Sequence, residues 1–393
     1  MSQTKAQLID AAATFTISSD ASFNSVTVGK GANSVSGNTV LGVSALDASV
    51  SGANNTAIGK NTLTDLTSGA NNTTLGKDAG AAITTASNNT ALGYDALTTN
   101  TTGASNVAVG RDALRANTTA DNNTAVGTDS LTTNTSGISN VGVGFEALAS
   151  NTTANNNTAV GRGASGSNTT GANNVAVGAY TFDANTTGTN NTAIGKGSLG
   201  ANTTADNNTA VGQSALEANT TGASNIAVGA YSLDANTTGG NNVGVGINSL
   251  SSNTTASDNT AVGAGAMDGN TTGARNTAVG RGALDLNTTA NNNTAIGYNC
   301  LDANTTGTEN VSVGAFSMGA NTTGGQNTVL GESALANNTT ASNNTAIGKN
   351  AMVSNTEGFQ NVAVGAYCLD ANTTGDYNVA IGLNTLGGNT TAD

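Results

Sequence analysis

Apolar residues recur along this chain in one short phrase. A β-branched residue, a small residue and a second aliphatic residue precede a glycine, as in Thr56, Ala57, Ile58, Gly59 and again in Ile226, Ala227, Val228, Gly229. Alternation at a period of two rather than 3.6 predicts a short strand. Four residues after the glycine comes another large apolar residue, for example Leu63, Leu97, Phe182, Met267 or Leu386, which predicts an inward side chain on a return strand. On this reading the large strand residues face a core. The small ones, such as Ala108, Ala176 and Ala227, face outward, at or near a contact between chains. Gly80 and Ser165 replace the second apolar residue in their repeats and predict weaker packing there.

The polar positions are as regular. Asparagine stands four residues before the glycine at Asn38, Asn55, Asn106, Asn225 and Asn378, and stacking would align these amides into a hydrogen-bonded ladder. From Gly93 onward a second asparagine follows seven residues after the glycine, as Asn100, Asn117, Asn219 and Asn389, within Asn-Thr-Thr. The glycine suits a turn that needs positive φ. From Gly42 to Gly382 these glycines recur at every seventeenth position, so 20 steps give 21 repeats without insertion or deletion. A register kept this strictly is the mark of a solenoid. The expected fold is all-β, a parallel β-solenoid of 21 seventeen-residue coils. At ~4.8 Å per coil it would be a rod ~100 Å long.

Three regions follow. Residues 1–24 do not fit the repeat and are expected to cap the stack and dock to a larger body through Lys5, Leu8 and Ile9, with a helix near residues 4–13 that starts at Thr4. Residues 25–41 are irregular first coils, since Gly29 and Gly42 stand closer together than one repeat. Residues 42–393 form the repeat shaft. The chain stops at Asp393 part-way through a repeat, so the strand edge there is expected to be covered by more fibre, by another protein or by the next molecule stacked head to tail.

Composition narrows the function. The chain has no His, Pro or Trp, 52 Gly, 9% charged residues and a net charge of −13. Its 11 Lys and Arg are scattered singly, which argues against nucleic acid or an anionic membrane surface as partner. No apolar run approaches the ~20 residues of a membrane span. The first residues lack the apolar core of a signal peptide, so synthesis and assembly in a cytoplasm are expected. Cys300 and Cys368 lie four repeats apart, too far for a bridge, and read as small buried residues in alanine positions. A thin coil with few inward side chains further suggests a homo-oligomer.

The phrase in residues 105–116 (SNVAVGRDALRA) and 207–218 (NNTAVGQSALEA) resembles the head repeats of trimeric autotransporter adhesins. The longer form with Asn-Thr-Thr-Gly is more similar to repeat fibre proteins of tailed phages, including those of marine cyanobacteria. The resemblance spans residues 38–393. It implies a left-handed β-roll, a homotrimer and a place on the surface of a virion, where the fibre projects towards a host glycan or protein. Other virion or fibre proteins would hold its N-terminal segment. The alternatives are a bacterial adhesin head that binds host glycans and an ice-binding solenoid. Adjacent turn threonines face different ways, which speaks against the last.

Without histidine, acid–base catalysis would need paired carboxylates in a cleft, and the acids sit in variable turn positions, so no enzyme and no cofactor is expected. Asp268, Asp285 and Asp302 occupy three consecutive repeats and form a candidate calcium site, with a solvated acidic face as the plain alternative. Tyr180, Tyr231, Phe316 and Tyr367 all follow the glycine by two and are candidate glycan contacts, or else turn side chains packed on their neighbours. The many Asn-x-Thr triplets read as turn and ladder chemistry rather than glycosylation sites.

Overall fold

The computed structural model describes residues 20–393. The expected helix near 4–13 and the attachment residues Lys5, Leu8 and Ile9 lie outside the described residues. The chain forms two compact units, Met1–Asn123 and Thr124–Asp393.

In the first unit β1 (Ala21–Phe23) and β2 (Val26–Gly29) pair antiparallel, and β2 pairs antiparallel with β3 (Thr39–Gly42). The Asp20 carboxylate accepts from the N–H groups of Lys30 and Gly31, both at 2.7 Å. The lost period in residues 25–41 is therefore a reversal of strand direction. From β3 onward β4 (Thr56–Ile58), β5 (Thr73–Leu75), β6 (Thr90–Leu92) and β7 (Val107–Val109) pair parallel, each one full repeat further on, as Thr39 opposite Thr56 and Thr90 opposite Val107. The second unit continues the pattern, from β8 (Thr124–Val126) to β23 (Val379–Ile381), again in parallel register. Both units are parallel β-solenoid with a seventeen-residue coil. Among the described residues the helical structure is one short 3₁₀ turn, Ala32–Ser34.

The strand faces the opposite way from the expectation. Ala108, Ala176 and Ala227 are 0%, 1% and 0% exposed inside a single chain, while the large residues Ile226 and Val228 are 42% and 37% exposed. Alternation fixes that successive side chains part to opposite faces but not which face is inside. Here the interior is already filled by the residue four after the glycine, for example Leu97, Leu216 and Leu233, each 0% exposed. Beside it stand mostly small residues, with Val40, Thr74 and Val329 as larger ones, each 2% exposed or less. At Gly142 a Cβ would stand 2.6 Å from Ser130 Oγ. These alanines are core residues, not contacts between chains.

Among the described residues no return strand forms either. The coil turns through the repeat glycine, as at Gly229 with φ 134°, where a Cβ would meet the Gly246 carbonyl oxygen at 2.4 Å. Two further left-handed residues follow, Tyr231 at φ 56° and Leu233 at φ 53°. Holding a leucine left-handed costs ~1–2 kcal/mol, which full burial of its side chain at ~1.5–3 kcal/mol offsets. Gly80 is not a weak point: Ile83, 0% exposed, fills the space, and a Cβ on Gly80 would lie 2.9 Å from Ile83 Cδ1. At Ser165 the Oγ is buried without a hydrogen-bond partner.

The asparagines form two kinds of column. Asn106 Nδ2 donates to the Ala120 carbonyl at 2.8 Å, and the Asn123 N–H donates to Asn106 Oδ1 at 2.9 Å. Asn225 and Asn378 repeat this, donating at 2.8 Å to the carbonyls of Gly239 and Ala392. This column chiefly ties side-chain amides to backbone. The amide-to-amide ladder belongs to the second asparagine: Asn219 Nδ2 donates to Asn202 Oδ1 at 3.1 Å, and Asn236 Nδ2 to Asn219 Oδ1 at 2.9 Å.

Candidate functional site

After the repeat glycine the first, second and fifth residues of each coil point outward. They form a polar face separate from the strand face, and it carries most of the candidate site residues. The second residue is held at positive φ, between 52° and 56° for Tyr180, Tyr231, Phe316 and Tyr367. Asp, Asn and Gly take this conformation most readily, and they fill many of the other coils. An aromatic there is strained relative to its alternatives, and its ring stands out from the coil: these four are 40–48% exposed.

The four aromatics have different neighbours. The Arg162 guanidinium lies 5.3 Å from the Tyr180 ring and 5.8 Å from the Phe145 ring. Gln213 Nε2 donates to the Tyr231 hydroxyl at 2.9 Å. Phe316 packs edge-on against Tyr298, with centroids 5.2 Å apart. Tyr367 lies near Lys349, which pairs with Glu332 at 3.1 Å. Tyr298 escaped the sequence reading because it follows its glycine by one residue instead of two.

Asp268, Asp285 and Asp302 stack on the same face. Ser251 donates to Asp268. Partial burial raises the Asp285 pKa, with the Asp268 and Asp302 carboxylates adding to the effect, and burial likewise raises Asp302. Among the described residues no three Cys, Asp or Glu side chains are grouped to hold a metal ion, and these three are not so grouped. Asp183 and Asp234, in the same position of earlier coils, are also raised by burial.

The face is indented where the second residue after the glycine is itself glycine. One hollow of about 480 Å³ lies among Asp129, Glu146, Gly163, Gly166, Tyr180 and Asp183. A second, of about 370 Å³, shares Tyr180 and Asp183 and adds Lys196, Gly197, Gly200 and Glu217. A third, of about 390 Å³, lies among Gly265, Asp268, Arg281, Gly282, Asp285 and Tyr298. The signal for them, glycine at Gly163, Gly197, Gly265 and Gly282, is plain in the repeat once the left-handed position is known.

The thiols stand apart from this face. Both are free and buried, with Cys300 Sγ donating to the Ser312 carbonyl at 3.1 Å and Cys368 Sγ to Ala380 at 3.0 Å. Burial pushes the Cys300 thiol up to about 11 and raises Cys368 as well, which keeps them out of thiolate chemistry at neutral pH. Among the described residues no helix is long and apolar enough to cross a membrane. No protein-family model matches the chain, and no curated protein matches it.

Proposed function

We propose that the chain is the shaft of a homotrimeric fibre on a phage particle, projecting towards the host surface and adhering to it. The observation that carries this reading is the outward strand face. Its two columns hold only Thr, Val, Ile and Leu, coil after coil, with no charge. In the second unit Ile194, Ile226, Ile296 and Leu330 are 39%, 42%, 39% and 51% exposed. The column one residue before the glycine is aliphatic without interruption, and an exposed apolar stripe of this kind favours association. Its partner must repeat at the same interval to match it along its length, and a second copy of this chain does so. The number three and the virion location rest on the resemblance to phage fibre repeats. Proteins of the particle would hold the N-terminal segment.

The seam thus falls on the large strand residues, not on the alanines. Ile226→Glu with Val228→Glu places charges on already exposed positions, so the coil is expected to persist by circular dichroism. Analytical ultracentrifugation is expected to find a trimer for the unaltered chain and a monomer for the variant. A monomeric unaltered chain would overturn the seam. Labelling intact particles with antibody to the chain tests the location, and unlabelled particles would remove it.

A further inference from the structure

The three hollows share a build that the shaft does not require. Each is walled on one side by a tyrosine, Tyr180 for the first two and Tyr298 for the third, and each is lined by at least two carboxylates. Their volumes are about 480, 370 and 390 Å³, and all three are shallow and open to solvent. All lie in the second unit, on one face, and Tyr180 stands between two of them. Glycines make the room: nothing lies within 4 Å of a Cβ placed on Gly265, and the nearest atom to one on Gly197 is Glu217 Oε1 at 3.8 Å.

The lining selects a chemical class. An exposed aromatic ring offers its face to C–H groups, and ionised carboxylates accept hydrogen bonds from hydroxyls. A pyranose presents both, an apolar C–H face and a rim of hydroxyls. An apolar ligand would bury the carboxylates without partners. An anionic ligand would meet Asp129, Glu146 and Asp183 in the first hollow, where they outnumber the Arg162 guanidinium that lies over the Tyr180 ring, on a chain of net charge −13. Arg281 and Lys196 in the other two are outnumbered by Asp268 with Asp285 and by Asp183 with Glu217.

We infer that these hollows are subsites for a neutral polysaccharide lying along this face, with Tyr180, whose ring the Arg162 guanidinium covers on one side, as the aromatic wall common to two adjacent subsites. The biological role of such binding rests on the fibre reading. The binding itself does not, because each hollow is built within one chain and shares no residue with the apolar strand face.

The test uses the full chain and a panel of neutral hexasaccharides, the malto-, cello-, manno- and galacto- series, with alginate as the acidic comparison. Saturation-transfer NMR is expected to detect at least one neutral series and to find alginate weaker. Tyr180→Ala is expected to weaken that binding roughly tenfold. Gly197→Asn fills the second hollow with a residue that Asn248 and Asn350 place at the same repeat position with φ 53° and 54°, so the fold is kept and a similar loss is expected. Tyr231→Ala is the control, since Tyr231 lines none of these three hollows, and it is expected to leave binding unchanged. Binding of no neutral series, alginate binding as tight as the best of them, or equal losses in Tyr231→Ala and Tyr180→Ala would each overturn the proposal. Unlabelled particles together with intact sugar binding would remove the fibre reading alone.

Discussion

From Gly59 onward the position seven residues after the repeat glycine is filled in two ways. In the first two of these coils it is aliphatic, Leu66 and Ile83, both 0% exposed. From Asn100 onward it is asparagine, equally buried through Asn372. Both choices close the same interior, but by different physics. An aliphatic side chain needs only neighbours of the right volume. An asparagine needs partners above and below: Asn219 gives one hydrogen to Asn202 Oδ1 and one to the Gly222 carbonyl at 2.9 Å, and accepts from Asn236. The amide version suits long stacks, because every rung supplies what the next one requires.

The largest expected effect comes from forcing one solution into the other's territory. Asn219→Leu removes a donor from Asn202 Oδ1 and an acceptor from Asn236 Nδ2, in the coil that holds Leu216. Two stranded polar groups predict a loss of roughly 2–6 kcal/mol. Urea denaturation followed by circular dichroism measures it, and a midpoint close to the unaltered chain's would show that the ladder contributes little.

The reverse exchange is milder and can be repaired. Ile83→Asn empties the space that Gly80 leaves open and is expected to cost about 2–4 kcal/mol. Gly80→Leu alone is also destabilising, since its Cβ would press on Ile83 Cδ1 at 2.9 Å and Thr74 Cγ2 at 3.1 Å. Together they recreate the pair found in the next coil, Leu97 with Asn100, and Gly80 at φ 60° already has nearly the backbone of Leu97 at φ 54°. The double variant is expected to be more stable than the sum of the single losses by over about 1 kcal/mol. Strict additivity in the same denaturation experiment would mean that the two positions do not share one cavity.

Much of this was readable from the chain itself. The period, the parallel strands, the glycine turn and the buried asparagines follow from repetition, because a residue type that recurs at every seventeenth position must serve each coil in the same way. What escaped were properties that repetition leaves undetermined. The strand triplet Thr56, Ala57, Ile58 has the same alternation whichever face is inside, and the structure buries Ala57 beside Leu63. The return segment looked like a strand because Leu63 and its counterparts are apolar, yet they are left-handed, as Leu63 is at φ 51°. The hollows escaped because they depend on which small and aromatic residues meet across successive coils, as Gly163 meets Tyr180, and not on any one repeat.

The smallest effect sharpens the same contrast, since stacked amides attract and stacked carboxylates repel. Asp285 stands between Asp268 and Asp302, and its pKa is raised above 3.8 first by burial and then by those two neighbours. The sign follows from proton linkage. With the folded value above the unfolded one, the folded state holds the extra proton between the two. The ionised carboxylate therefore opposes folding, a penalty that grows as pH rises from 3.8 through the raised value and is complete above it. Asp285→Asn replaces a charged rung by an amide and is expected to raise the melting temperature at pH 7, and to raise it less as the pH approaches 4. Because the group is partly open to solvent, screening keeps the gain under about 1 kcal/mol. A gain that grows on acidification would reverse the sign and mean that the Asp285 carboxylate is stabilised where it stands.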